Sequence, residues 1–167
     1  TWADHWGDQQ SALSGYPLDA EFLASARLDD VKWKDKSMTR LCVISHAMVH
    51  EQNRERWRRL ALDYPVDVDL VVPARWESTW FGNLTVWESE PSVQGRFAVF
   101  PLPTTNCRDW GRYRVRGLGG LLRRRRPDVI LAYGEEFSLV LHQVITLRHF
   151  CPPLAGLGFF TWNNLGI

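Results

Sequence analysis

The stretch MTRLCVISHAMVHEQNRERWRRLALDYPVDVDLVV (residues 38–72) carries the pattern that decides the fold. Leu41–Ser45 is a short apolar run that ends in small and polar residues, as is typical of a buried parallel strand. Glu51–Asp63 is then predicted to be a helix, because four residues recur at helical spacing: Trp57, Leu60, Ala61 and Tyr64. Pro65 ends this helix, and Val66–Val72 is the second predicted strand, followed by a loop.

The alternation of strands and helices continues through the rest of the chain. Short apolar runs predict four more strands, at Leu84–Trp87, Arg96–Phe100, Val129–Ala132 and Leu154–Phe160. Tyr113–Arg126 is predicted to be a helix. A further helix is predicted from five residues at helical spacing: Phe137, Val140, Leu141, Val144 and Ile145. This alternation predicts an α/β fold, a Rossmann-like parallel sheet with helices on both faces.

Residues 1–37 differ in charge from the rest of the chain. All three lysines precede Met38, and sixteen arginines but no lysine follow it. The first 37 residues carry seven acidic and four basic side chains, and the remainder carries twelve and sixteen, so the net charge changes from −3 to +4. We therefore predict that residues 1–37 are an appended segment, either a packing arm or a partly ordered tail, and that residues 38–167 form the main domain.

Composition and charge argue against several classes of protein. The formal net charge is only +1 and no recognised nucleic-acid-binding module is present, so we predict no nucleic-acid partner. The three cysteines have no CxxC spacing, which favours free thiols in a reducing compartment. No apolar run reaches the ~18 residues that a membrane span needs, and the first residues do not resemble a signal peptide. We expect a cytoplasmic protein, with peripheral contact at the inner membrane surface as the alternative.

Polar segments follow four of the predicted strands, where parallel sheets bind their ligands. These segments are Ser45-His46-Ala47, Pro73-Ala74-Arg75-Trp76, Tyr133-Gly134-Glu135-Glu136 and Thr161-Trp162-Asn163-Asn164. Because the carboxyl ends of parallel strands meet at one edge of a sheet, the sequence predicts a binding cleft there.

The same segments resemble the N-terminal domain of glycosyltransferase family 4. Met38–Ala61 looks like the first strand and helix of that family, and Val66–Trp76 follows at the expected distance. Arg125–Gln143 resembles its strand, acidic loop and next helix, and Phe159–Asn164 its next strand end. The resemblance covers residues 38–167 and implies the GT-B fold, in which a second Rossmann-like domain carries most nucleotide-sugar contacts. We therefore expect an acceptor-side half, with the nucleotide-sugar donor bound by a C-terminal domain outside these residues.

Three residues are predicted to act in catalysis. His46 is expected to bind the acceptor or the donor phosphates, since an imidazole can donate from either nitrogen; the alternative is a histidine that only caps a helix. Glu135 and Glu136 follow a strand, and one of them is expected to orient an acceptor hydroxyl or act as general base. The alternative for this pair is charge that complements a helix N-terminus. In the family, a glutamate and then a proline stand at these two positions.

Six residues are predicted to contact substrate. Arg75 and Trp76, together with Trp80, are expected to form an acceptor platform, because aromatic faces suit sugars; surface packing is the alternative. The others are polar groups of the same cleft: Ser45, Thr161 and Asn164.

Two further patterns have weaker functional interpretations. His46 and His50 stand at i, i+4 spacing, which suits two metal ligands on a helix, but no third ligand is nearby, so we predict no metal and no cofactor. The basic stretch Arg112–Arg126 is expected either to meet phospholipid headgroups or a lipid-phosphate acceptor, or to be a solvated helix end.

Two functions compete at this point. In the first, the protein transfers a sugar from a nucleotide-sugar donor to a sugar or lipid-linked acceptor, and the resemblance implies retention of configuration. In the second, a truncated transferase half is a non-catalytic structural subunit, with a protein partner covering its open sheet edge.

Overall fold

A computed structural model describes residues 38–80, 83–134, 137–149 and 155–160. The segment 1–37 and four predicted site residues lie outside these ranges: Glu135, Glu136, Thr161 and Asn164. Leu154, the first residue of the last predicted strand, also lies outside them, as do Trp162 and Asn163 of the predicted cleft.

The described residues form ten strands and three α-helices. The strands are β1 (Thr39–Ile44), β2 (Val66–Pro73), β3 (Arg75–Trp80), β4 (Asn83–Glu88), β5 (Ser92–Gln94), β6 (Phe97–Leu102), β7 (Thr104–Thr105), β8 (Arg114–Val115), β9 (Val129–Tyr133) and β10 (Gly156–Phe160). The helices are α1 (Glu55–Asp63), α2 (Leu118–Arg125) and α3 (Leu139–Arg148).

Six of these strands form a mostly parallel sheet in the order β10-β9-β1-β2-β6-β5. All neighbours are parallel except the short edge strand β5, which runs antiparallel to β6. The chain proceeds from β1 to β2 and β6 on one side, then continues with β9 and β10 on the other side of β1. The winding direction therefore reverses at β1, and a crevice is expected beside the carboxyl ends of β1 and β9.

Helices cover both faces of the sheet, because successive side chains of a strand point in opposite directions. Val43 of β1 packs in one buried cluster with Trp57 and Ala61 of α1. Its neighbours Cys42 and Ile44 belong to the other cluster, which includes buried residues of α2 and α3: Leu118, Leu121, Leu122, Val140, Leu141 and Val144. The predicted α/β fold, a mostly parallel sheet with helices on both faces, is thus confirmed.

The first helix is shorter than predicted. Two 3₁₀ turns, Ala47–Val49 and Glu51–Arg54, precede α1, so the α-helix begins at Glu55. The prediction for Tyr64 was wrong, because the helix ends before it: its backbone is extended (φ −126°, ψ 157°) and 53% of the residue is exposed. Trp57 and Ala61 are buried as predicted.

The loop predicted at Arg75 and Trp76 is a strand. After Pro73 ends β2, only Ala74 intervenes before β3, which pairs in register with β4 as an antiparallel hairpin. The predicted strand Leu84–Trp87 exists within β4, but it belongs to this hairpin and not to the main sheet.

The other two helices also start later than the sequence indicated. Gly117, at φ +77°, precedes α2, and Arg114–Val115 forms β8 instead of a first helical turn. Ser138 is extended (φ −73°, ψ 138°) just before α3, so Phe137 lies outside the helix and is 57% exposed. Ile145 is also largely exposed, so the buried face of α3 is narrower than predicted.

Candidate functional site

His46 follows the carboxyl end of β1, at the point where the strand order reverses. Its ring packs against Trp76 of β3, with ring centroids 4.9 Å apart, and against Tyr113, at 5.5 Å. Nδ1 of His46 is buried and has no hydrogen-bond partner within the described ranges. Two aromatic rings thus pack against an imidazole whose buried Nδ1 has no hydrogen-bond partner among the described residues.

Burial keeps the histidine neutral. Desolvation, with a smaller contribution from nearby His50, lowers the pKa of His46 to about 4. Burial also raises the pKa of Tyr113 above its usual range, although its contact with the His46 backbone acts in the opposite direction. Near neutral pH both side chains are therefore uncharged.

The β3–β4 hairpin provides an aromatic partner for each of the two spaced histidines. Trp76 and Trp87 are paired across the hairpin, and Trp87 packs edge-on against His50, with centroids 4.6 Å apart. Among the described residues, no group of three or more His, Cys, Asp or Glu side chains is placed to hold a metal ion.

Arg54 holds the loop that carries His46. Its guanidinium donates to the carbonyl oxygens of Met48 (2.7 Å) and Val49 (3.2 Å) and to the hydroxyl of Ser89 beyond the hairpin (3.2 Å). Arg54 falls within the helix predicted over Glu51–Asp63, but it lies in a 3₁₀ turn and is only 7% exposed. Helical spacing gave no signal for this role.

Trp76 has little exposed surface for the acceptor platform that was predicted at Arg75 and Trp76. Trp76 is only 6% exposed, because its ring lies against His46 and Tyr113. Arg75 donates to the Glu77 carboxylate, with Nη2 and Oε1 3.0 Å apart. Glu77 also accepts from Arg108, which is the main reason that the pKa of Glu77 is lowered. Trp80 lies in β3, and its side chain is outside the described part.

Ser45 and Ser138 are buried beside the ends of β1 and β9. The Ser45 hydroxyl accepts from the backbone N–H of Ala47 (3.2 Å), so it also shapes its own loop. Gly134 approaches Ser138 closely: a Cβ at residue 134 would lie 2.6 Å from Ser138 Oγ. Ser138 Oγ has no partner in the described chain, and the sequence gave no reason to select this residue.

An open hollow of about 430 Å³ lies beside the connection between β9 and α3. Its lining residues are Asp109, Trp110, Gly111, Arg112, Phe137 and Leu139. Apart from Arg112, which begins the basic stretch, the residues of this loop carried no sequence pattern that indicates a binding site.

No protein-family model, curated protein or solved structure matches this chain.

The basic stretch Arg112–Arg126 does not form a single surface. Arg112 lies beside the hollow. The Arg125 carbonyl instead accepts a hydrogen bond from the Arg40 side chain, at the amino-terminal end of β1. The Arg125 guanidinium is paired with Asp69.

No helix in the described ranges is long and apolar enough to span a bilayer. Contact with a membrane surface stays a prediction, which failure to co-sediment with phosphatidylglycerol vesicles would contradict.

The low pKa of His46 makes folding stability depend on pH. A pKa near 4 in the folded state, against about 6.5 in the unfolded chain, means that the unfolded state binds the proton first. The contribution of neutral His46 to the free energy of unfolding is present above pH 6.5 and is lost progressively as the pH falls toward 4. Between pH 7 and 5 we expect a loss of about 1–2 kcal/mol from this residue.

Urea unfolding at the two pH values measures this loss. His46→Gln should remove most of the difference, and His50→Gln a further part, because burial also lowers the pKa of His50. An equally steep decline in His46→Gln would contradict the assignment.

Proposed function

We propose that residues 38–167 form the acceptor-side domain of a glycosyltransferase, which moves a sugar from a nucleotide-sugar donor to a sugar or lipid-linked acceptor. One observation carries the proposal: the strand order reverses at β1, and a neutral histidine and an open aromatic hollow lie near that reversal. Parallel α/β sheets bind their ligands at such a reversal. The order of the four family-like segments along the chain supports the same assignment.

We assign His46 the role of orienting the acceptor. A neutral imidazole can accept a hydrogen bond from a sugar hydroxyl and hold its oxygen toward the donor. A pKa of about 4 makes His46 a weak general base near neutral pH, where catalytic bases work best with a pKa close to the ambient pH. Proton removal, if the reaction requires it, is therefore proposed for Glu135 or Glu136.

The donor belongs to the other side of the proposed cleft. In the GT-B arrangement that the resemblance implies, a second domain binds the nucleotide sugar and closes over the carboxyl edge of this sheet. Retention of configuration is likewise part of the proposal through the resemblance alone.

A transfer assay on variants of the natural protein tests the role of His46. With a radiolabelled nucleotide sugar and its acceptor, His46→Ala should lower kcat/KM by about 100-fold or more, as expected for loss of a positioning group in the cleft. His46→Gln, which keeps a hydrogen-bonding side chain, should retain more activity. His142→Ala, on the exposed surface of α3, is the matched control and should behave like the wild type. Full activity in His46→Ala would contradict the role.

A non-catalytic subunit is the alternative, and the place of β10 as the outermost strand on one side of the main sheet favours it. Within the described ranges β10 pairs only with β9, and Phe159 on this strand is 58% exposed. Photocrosslinking from position 159 in the natural protein separates the two proposals. Crosslinks to a second chain, together with no sugar transfer, would support the subunit; transfer without such crosslinks would exclude it.

A further inference from the structure

The hollow beside α3 exposes two large aromatic rings next to each other. Trp110 is 46% exposed and Phe137 is 57% exposed, and their ring centroids lie 5.6 Å apart at an interplanar angle of 56°. Rings of this size contribute most to stability when they are covered, so a neighbouring pair left open to solvent is a feature of binding surfaces.

Hydrogen bonds hold this loop in place. One Asp109 carboxylate oxygen accepts from the backbone N–H groups of Gly111 (2.9 Å) and Arg112 (3.0 Å). The Gly111 carbonyl in turn accepts from the N–H of Leu139, at the start of α3 (2.8 Å). Trp110 is thus presented by a fixed backbone, which reduces the ordering that a ligand must impose on binding.

The rim of the hollow is polar and nearly balanced in charge. The Arg112 guanidinium and the Asp109 carboxylate are 3.8 Å apart, and both side chains are largely open to solvent. A carboxylate and a guanidinium together accept from and donate to hydroxyl groups, while their opposite charges give no net attraction for an anion. This combination fits a neutral, hydroxyl-rich ligand with one apolar face.

The position of the hollow connects it to the cleft. Phe137 lies in the segment between β9 and α3, which follows a strand next to the reversal at β1. Tyr113, two residues after Gly111, contacts the His46 ring. The loop that forms the hollow is therefore the same loop that packs against the proposed positioning histidine.

We propose that this hollow binds a neutral hexose ring of the acceptor, with the apolar face of the sugar stacked on Trp110. The inference rests on the proposed function, in which a sugar is the acceptor, and adds the place and the side chains that hold it. Asp109 and Arg112 bind hydroxyls at the rim, and Phe137 forms the second apolar wall.

The test follows the tryptophan indole signals of the full chain by two-dimensional ¹H–¹⁵N NMR. The probes are methyl glucoside, methyl galactoside and methyl mannoside at tens of millimolar, and the Trp110 signal is the one that disappears in Trp110→Phe. At least one sugar should shift this signal saturably. Trp110→Ala should weaken binding of that sugar at least tenfold, measured by its saturation-transfer signal. Tyr64→Ala removes a similarly exposed aromatic ring just before the amino-terminal end of β2, and this variant should bind the sugar like the wild type.

The outcomes separate this inference from the proposed function. If no sugar shifts the Trp110 indole of the wild type, the inference is overturned, whether or not any variant folds. It is also overturned if only 4-nitrophenol or inorganic phosphate produces a shift. Sugar binding without transfer would support the hollow and remove the transferase proposal. Transfer with an unchanged acceptor KM in Trp110→Ala would remove the hollow and leave the transferase proposal intact.

Discussion

Replacing Trp57 with alanine is expected to lower the free energy of unfolding by about 3–5 kcal/mol, the range found when a large aromatic residue is removed from a core. Trp57 is 1% exposed and attaches α1 to one face of the sheet. Its ring meets Tyr133 edge-on, with centroids 6.1 Å apart, and the Arg56 guanidinium lies 5.5 Å from the ring centre. Urea unfolding followed by circular dichroism measures the loss.

Two controls make this prediction specific. Trp57→Phe should cost clearly less, because it keeps an aromatic ring and removes a buried indole N–H that has no partner in the described chain. Leu62→Ala, on the same helix but 69% exposed, should change stability by less than about 0.5 kcal/mol. A Trp57→Ala protein as stable as Leu62→Ala would show that α1 does not pack as described.

Replacing Arg125 with alanine is the second large effect, with an expected loss of about 2–4 kcal/mol. Arg125 donates twice to the Asp69 carboxylate, with both distances 2.7 Å. The Asp69 side chain is 4% exposed, whereas that of Arg125 is 43% exposed. Removing the arginine therefore leaves a buried carboxylate without its partner, while Asp69→Asn leaves an arginine that can turn toward water.

The expected order of stability follows from this asymmetry. Asp69→Asn should cost less than Arg125→Ala, and Asp69→Asn combined with Arg125→Met should recover part of the loss. Arg124→Ala is the matched control, since Arg124 is exposed on the same helix. Equal losses of stability in Asp69→Asn and Arg125→Ala would contradict the description of Asp69 as the buried partner. Chemical unfolding of the four variants under one condition gives the comparison.

The strands of the main sheet were largely predictable, because buried parallel strands are nearly continuous apolar runs. Val129–Ala132 is of this kind, and Val66–Val72 is an apolar segment interrupted by Asp67 and Asp69; both lie within strands of the structure. The helix starts were not predictable in the same way. The helix predicted around Trp57 was extended back to Glu51, but Glu51–Arg54 forms a 3₁₀ turn, which residue spacing alone does not distinguish from an α-helix. The extended backbone of Ser138 excludes Phe137 from α3, and the apolar spacing of the sequence does not reveal these backbone angles.

The position of His46 after β1 was predictable, but its contacts were not. His46 could be placed because it directly follows a strand whose carboxyl end lies at the sheet edge. The burial of Trp76 depends on a hairpin that brings it back over the loop after β1, a contact between residues distant in sequence. The hollow depends on a similar long-range contact, between the Trp110 loop and Phe137, so no local pattern indicated it.

Transfer of a labelled sugar by the natural protein, purified from its source, tests the central claim most directly. The assay supplies a panel of nucleotide sugars and offers simple glycosides and lipid-linked sugars as acceptors. We expect a glycosylated product from at least one donor and acceptor pair, with the product reduced about 100-fold in His46→Ala. No product from any pair, with protein whose circular dichroism and thermal unfolding show a folded state, would contradict the glycosyltransferase assignment.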